Sequence, residues 1–173
     1  RSQQRAVQAT KEGRFDNELA PIAGLSTDEI IRPGTTVDKL AGLKPAFYNP
    51  GYEARFPQIK WEITAGNSSP LSDGSAALLI TTSEAAHRLG LRPLARIHTA
   101  TVVGSDPLYM LTGVIPATEK DLQRAGLTLA DIDLFEVNEA FAPVVMAWAH
   151  DTGADLAKTN VNGGAIAIGH PLG

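Results

Sequence analysis

A single histidine, His170, sits between Gly169 and Pro171 at the end of the run Gly163-Gly164-Ala165-Ile166-Ala167-Ile168. Glycine and proline together restrict the backbone around a side chain that can accept a proton near neutral pH. This arrangement suggests a catalytic histidine presented on a tight loop. Two further clusters carry polar side chains: Asn138-Glu139-Ala140-Phe141, and Asn67-Ser68-Ser69-Pro70-Leu71-Ser72-Asp73-Gly74. Each also has a plain reading. Asn138 stands between a predicted strand and a predicted helix, where an N-cap asparagine is common. Residues 67–74 are the ordinary residues of turns. His87 and His150 fall in the last turns of predicted helices, where a cation suits the helix dipole, and His98 sits mid-strand; none of the three is given a function.

All three clusters lie near predicted strand ends, where α/β folds usually place their sites. A short apolar run at residues 76–81, bounded by Gly74 and Ser83, suits a strand buried on both faces. Residues 83–90 then read as a capped helix ending at Gly90, and residues 95–103 as a second strand. Residues 118–125 predict a helix closed by Gly126, followed by a strand at 132–137, a helix at 140–150 and a last strand from 159. Alternation of this kind implies a layered α/β arrangement around a central sheet. Ahead of it, residues 2–13 read as a mostly exposed helix with Gly13 at its C-terminal cap. Residues 15–69, punctuated by five prolines, read as an irregular excursion with a short helix at 36–43.

Composition narrows the function. The 15 basic and 19 acidic residues are scattered, and a net charge of −4 gives no phosphate-tracking stripe for nucleic acid. No apolar stretch approaches the ~20 residues of a membrane span, so a soluble cytoplasmic protein is the default expectation. There is no cysteine, which removes disulfides, thiolate zinc sites and a cysteine nucleophile from these 173 residues. Gly163 and Gly164 lack the spacing of a nucleotide loop, which speaks against ATP and NAD, and no His/Asp/Glu spacing suggests a metal site. The opening on Arg1 within a helical pattern and the stop at Gly173 are read as an internal piece of a larger enzyme.

Taken in order, these motifs resemble the thiolase family, the acyl-CoA acetyltransferases and 3-ketoacyl-CoA thiolases. The resemblance runs along nearly the whole chain: Arg1-Ser2-Gln3-Gln4-Arg5-Ala6, Ile31-Arg32-Pro33, Leu43-Lys44-Pro45-Ala46-Phe47, Thr64-Ala65-Gly66-Asn67 and Asp73-Gly74. Its most specific marks are Asn138-Glu139-Ala140-Phe141 and Asn162-Gly163-Gly164-Ala165 leading to Gly169-His170-Pro171. What it implies is a partial thiolase-like layered α/β/α core with an irregular loop domain. Residues 1–73 would be the remainder of the loop domain, 74–90 the last strand and helix of the N-terminal core half, and 91–173 the start of the C-terminal half. Sheet edges left without partners in such a piece predict aggregation when it is expressed alone.

The resemblance also implies roles. Ser69 would contact the pantetheine portion of coenzyme A, Met110 would line the acyl pocket, and Ala140 and Phe141 would lie on the coenzyme A side. Asn138 would hold a catalytic water, and His170 would take the proton of a cysteine nucleophile. In such enzymes a His-paired thiolate attacks the thioester while donors stabilise the developing oxyanion. Coenzyme A is then a substrate, no cofactor is held covalently, and the parent would be a homo-dimer or homo-tetramer. Both cysteines of the family would lie outside these residues, so the isolated chain is expected to be inactive. Pro70 stands where a glycine is common, which bears on the fit around coenzyme A. A related ketoacyl synthase and a non-catalytic acyl-CoA or lipid binder remain alternatives, with Asn138-Glu139-Ala140-Phe141 favouring thiolase over synthase. The loop at 68–74 leans toward a bacterial catabolic enzyme.

Overall fold

The computed structural model describes residues 1–171; Leu172 and Gly173, which follow the histidine turn, lie outside the described residues. Helix α1 spans Ser2–Lys11. Gly13 adopts a left-handed φ of 69°, so that the amide of Arg14 reaches the carbonyl of Ala9 at 2.9 Å and that of Gly13 reaches Thr10 at 3.1 Å. These two bonds satisfy carbonyls that a helix end otherwise leaves open. The expectation of a mostly exposed helix is corrected for one face, because Ala6 and Ala9 are fully buried. Their small side chains let the chain at Gly163 approach, where a Cβ would stand 2.8 Å from Ala6 Cβ.

Residues 12–82 are largely irregular, as their prolines predict. They contain only α2 (Val37–Ala41), capped by the Thr36 hydroxyl, and α3 (Pro50–Arg55), capped by the Asn49 carboxamide. α4 (Ser83–Arg88) starts at a Thr82 cap. α5 (Val114–Ala125) begins four residues before the expected start. Pro116 does not delay it, because in the first turn a missing N–H removes nothing the helix would have used. α6 covers Ala142–Thr152, two residues later than expected, with Phe141 still extended. Asn138 is therefore not its N-cap. α7 is a single turn, Ala165–Ile168.

The strand expectations need a sharper correction. Among the described residues there are only isolated bridges and no named strand. One bridge joins two predicted strands: Phe135 pairs with Thr159 in parallel, the Phe135 amide donating to Lys158 O (3.0 Å) and the Asn160 amide to Phe135 O (2.8 Å). The Asn160 side chain continues the ladder, since its Oδ1 accepts from Val137 N and its Nδ2 donates to Val137 O, both at 2.8 Å. By contrast, residues 76–81 pair with nothing among the described residues, and Leu78, Leu79 and Ile80 are exposed. Residues 95–103 also form no ladder. Part of that segment runs along α5, whose Lys120 and Arg124 donate to the carbonyls of Val102 and Ala100, each at 2.9 Å. An extended apolar run becomes a strand only when a neighbour takes its backbone groups.

The buried core is built from α5, α6 and the paired segments. Val145, Trp148 and Ala154 are buried against Val114, Ile115, Leu129, Phe135, Val137 and Leu156. The Phe135 and Trp148 rings meet edge to face, 5.3 Å between centroids. Trp148 Nε1 donates to Thr118 Oγ1 at 2.9 Å, so the ring is buried without an orphaned donor. No helix among the described residues is long and apolar enough to cross a membrane.

Candidate functional site

The Phe135–Thr159 bridge carries the chain to Val137 and delivers Asn138 just beyond it. Facing it, the turn after α7 delivers His170. The Asn138 Nδ2 and His170 Nε2 atoms are 2.9 Å apart. With the amide donating, Nε2 accepts and the ring proton resides on Nδ1. Asn138 is exposed and His170 half-buried, so the pair faces open space while its backbone is held from behind.

Each side of that backbone is tied down. On the histidine side, the amide of His170 donates to Ser72 Oγ at 2.8 Å. Gly169 has a φ of 86°, and a Cβ there would stand 2.7 Å from Ser72 Cβ and 2.9 Å from Ile30 Cδ1. Only glycine meets both demands, the positive φ and the close approach. On the asparagine side, an antiparallel bridge joins Phe141 to Ser68. Ser69 N donates to Ala140 O at 3.0 Å, and Ala142 N to Asn67 O at 2.9 Å. The loop at 67–74 therefore touches both of the other clusters. Its asparagine also organises it internally, with Asn67 Oδ1 accepting from Thr64 N at 2.8 Å and Nδ2 donating to Glu62 O at 2.9 Å.

Two hollows share Phe47 and Phe141 in their walls, and neither is lined by Asn138 or His170 themselves. The larger, about 980 Å³, is lined by Ser69, Phe141, Phe47 and Leu40 together with the cations Arg32 and Lys39. The smaller, about 270 Å³, is apolar and lies between Phe47, Phe141, Leu111, Val114 and Val144. Phe47 and Phe141 belong to both, their rings edge to face at 5.9 Å. Near Asn138, the Glu136 carboxyl is pushed above its ordinary value, first by desolvation and second by the charge of Glu139.

Asn138, His170, Ser69, Ala140 and Phe141 are thus brought into one neighbourhood. Met110 is placed differently. It is 70% exposed, has a φ of 56° and is held by Ser105 Oγ donating to its carbonyl at 3.1 Å. Its chain neighbours Tyr109 and Leu111, rather than Met110 itself, line the smaller hollow. Sequence reading passed over Ser72 and Glu139, which lay inside clusters already singled out, and Ser2 and Gln3, whose partners Glu139 and Ile166 lie 137 and 163 residues away. An acid directly after a candidate site asparagine is the only sequence signal that pointed to Glu139; its burial shows in the structure alone.

Known proteins resemble this chain in sequence and fold. The thiolase N-terminal domain matches residues 1–84 and the thiolase C-terminal domain residues 91–173. A 3-ketoacyl-CoA thiolase of Pectobacterium carotovorum is 49% identical over all of this chain, which covers 46% of that relative. Human mitochondrial 3-ketoacyl-CoA thiolase superposes with a TM-score of 0.88 at 44% identity over 99% of this chain and 43% of that one. The same human enzyme solved in complex with CoA gives a TM-score of 0.89 at 44% identity, over 99% and 42% of the two chains. The chain spans about half the length of the curated relatives it matches. The likeness to these solved structures bears out the expectation of a partial thiolase-like fold.

Proposed function

Because the chain belongs to the thiolase family, we propose that it supplies the histidine–asparagine half of a thiolase site. The reaction would move an acyl group between a cysteine thioester and coenzyme A, chiefly in thiolytic cleavage of a 3-ketoacyl-CoA. The observation that carries this reading is the 2.9 Å approach of Asn138 Nδ2 to His170 Nε2 on an open face. In this reading the nucleophilic thiol comes from outside these residues, which contain no cysteine. His170 takes its proton at Nε2, which gives up the Asn138 contact, and the released Asn138 amide orders a water that, with the imidazolium, faces the developing oxyanion.

The larger hollow suits coenzyme A. Arg32 and Lys39 offer charge to anionic groups, while Ser69, Leu40, Phe47 and Phe141 offer a polar and apolar wall to a long amide-bearing chain. The smaller apolar hollow is the seat for acyl carbons, reached past Phe47 and Phe141, with Tyr109 and Leu111, the chain neighbours of Met110, in its wall. The changeover of family matches between residues 84 and 91 supports a boundary between core halves near residue 90. A degradative role in the cytoplasm fits relatives that are bacterial 3-ketoacyl-CoA thiolases, and a homo-oligomer completes the proposal.

The test is thiolysis of a 3-ketoacyl-CoA by the intact protein carrying this chain. His170→Ala should lower kcat by about 10²- to 10⁴-fold with the fold unchanged. Asn138→Ala should cost about 10²- to 10³-fold, in turnover more than in coenzyme A affinity. Near-native turnover of folded His170→Ala would refute the reading.

A further inference from the structure

Among the described residues Glu139 is the one buried acidic side chain, and nothing in the chemistry above uses it. It follows Asn138 directly and turns inward, away from the open face. Its Oε2 accepts from Ser2 Oγ at 2.7 Å and from the amide of Ile166 at 3.3 Å. The Ser2 hydroxyl in turn accepts from the amide of Gly164 at 2.9 Å. Three segments far apart in sequence therefore meet at one carboxylate: the start of α1, the segment bearing Asn138, and the turn of α7 that leads to His170. Gly164 closes against it so tightly that any Cβ there would collide with the Glu139 carboxyl and stand 2.8 Å from Asn160 Nδ2. All of these donors are neutral, so the carboxylate serves here as a two-donor acceptor within a buried cluster.

A second bond extends the cluster to the cleft wall. Gln3 Nε2 donates to Ile166 O at 3.2 Å while its Oε1 accepts from the amide of Arg32 at 2.7 Å. Ile166 is thus held at both its N–H and its C=O, four residues before His170.

We propose that Glu139, acting with Ser2, is the positioning residue that sets the separation of Asn138 and His170. The inference rests on the thiolase reading for its consequence in turnover, and on the hydrogen bonds alone for its consequence in geometry. A carboxylate that fixes both sides of a reacting pair acts through orientation, and a misplacement of about 1 Å is enough to cost on the order of 10²-fold in rate. Since Glu139 faces away from the cleft, coenzyme A affinity should hardly change.

The experiment compares Glu139→Ala, Glu139→Gln and Ser2→Ala in the intact protein, by steady-state thiolysis and by ¹⁵N NMR of the His170 ring. Glu139→Ala should lower kcat on the order of 10²-fold with the coenzyme A KM within about twofold, and should move the Nε2 resonance toward that of a free imidazole. Glu139→Gln, whose amide oxygen can accept both donors, should recover most of the turnover and the native resonance. Ser2→Ala should shift both readouts in the same direction by less, and it decides the matter if Glu139→Ala does not fold. Native kcat and a native Nε2 resonance in folded Glu139→Ala, or in Ser2→Ala where that stands in for it, would overturn the proposal. A failed rescue by Gln would overturn it too. A wild-type protein without thiolysis would contradict the proposed function instead, leaving the ring resonance to decide on Glu139.

Discussion

The segments around α6 and the apolar run at residues 76–81 are both rich in aliphatic side chains, yet they end in opposite environments. Trp148, on α6, is 1% exposed and has its indole N–H bonded to Thr118. Leu79, within the run, is 80% exposed, and no backbone bond to it is formed among the described residues. Hydrophobicity is therefore not what separates them. α6 satisfies its own backbone and needs only a neighbouring face, which α5 and Phe135 provide. An extended run cannot satisfy its own amides and carbonyls, and its burial waits on another strand. The 135–137 and 158–160 pairing is the intermediate case, two short segments that find each other and borrow the Asn160 side chain for the next rung.

That contrast can be tested by substitution in the 173-residue chain, with stability read from urea unfolding. Trp148→Ala should have the largest effect, about 3–5 kcal/mol, because it empties the centre of the cluster packed between α5 and α6. Asn160→Ala should follow at about 1–3 kcal/mol, since it strands both the N–H and the C=O of Val137. Leu79→Ser should fall within about 0.5 kcal/mol of the parent. A loss approaching that of Trp148→Ala would show the run to be packed after all, and the contrast would break.

The smallest effect is electrostatic. The hydroxyl and the amide of Thr128 donate to the Asp131 carboxylate, at 2.7 and 2.8 Å, and hold its pKa below the ordinary value. A carboxyl whose folded pKa is depressed contributes stability above its unfolded pKa and loses it as the pH falls through the folded value. Acid titration should therefore destabilise the protein slightly less in Asp131→Asn than in the parent. Equal acid sensitivity would remove that contribution.

Local signals made most of the helices legible, though not α3 or α7, and they marked the clusters that the structure brings together. Gly90 and Gly126 marked helix ends, and the histidine turn announced itself through Gly169 and Pro171. What sequence reading could not supply was partnership across distance. The burial of Ala6 and Ala9 depends on the chain at Gly163, and the role of Ser72 depends on an amide 98 residues later. Glu139 looked like an ordinary member of its motif because its donors, Ser2 and Ile166, lie 137 and 27 residues away. The run at 76–81 was read as buried because its composition suits burial; whether it pairs is a property of its neighbours.

The central claim is that Asn138 and His170 act as one unit, and a double-mutant cycle on the intact protein tests it most directly. Thiolysis of a 3-ketoacyl-CoA would be measured for Asn138→Ala, His170→Ala and the double variant. Groups that act together lose their function once, so the double variant should be no slower than His170→Ala alone. Losses that simply multiply would mean that the 2.9 Å contact is proximity without cooperation, and would contradict the account.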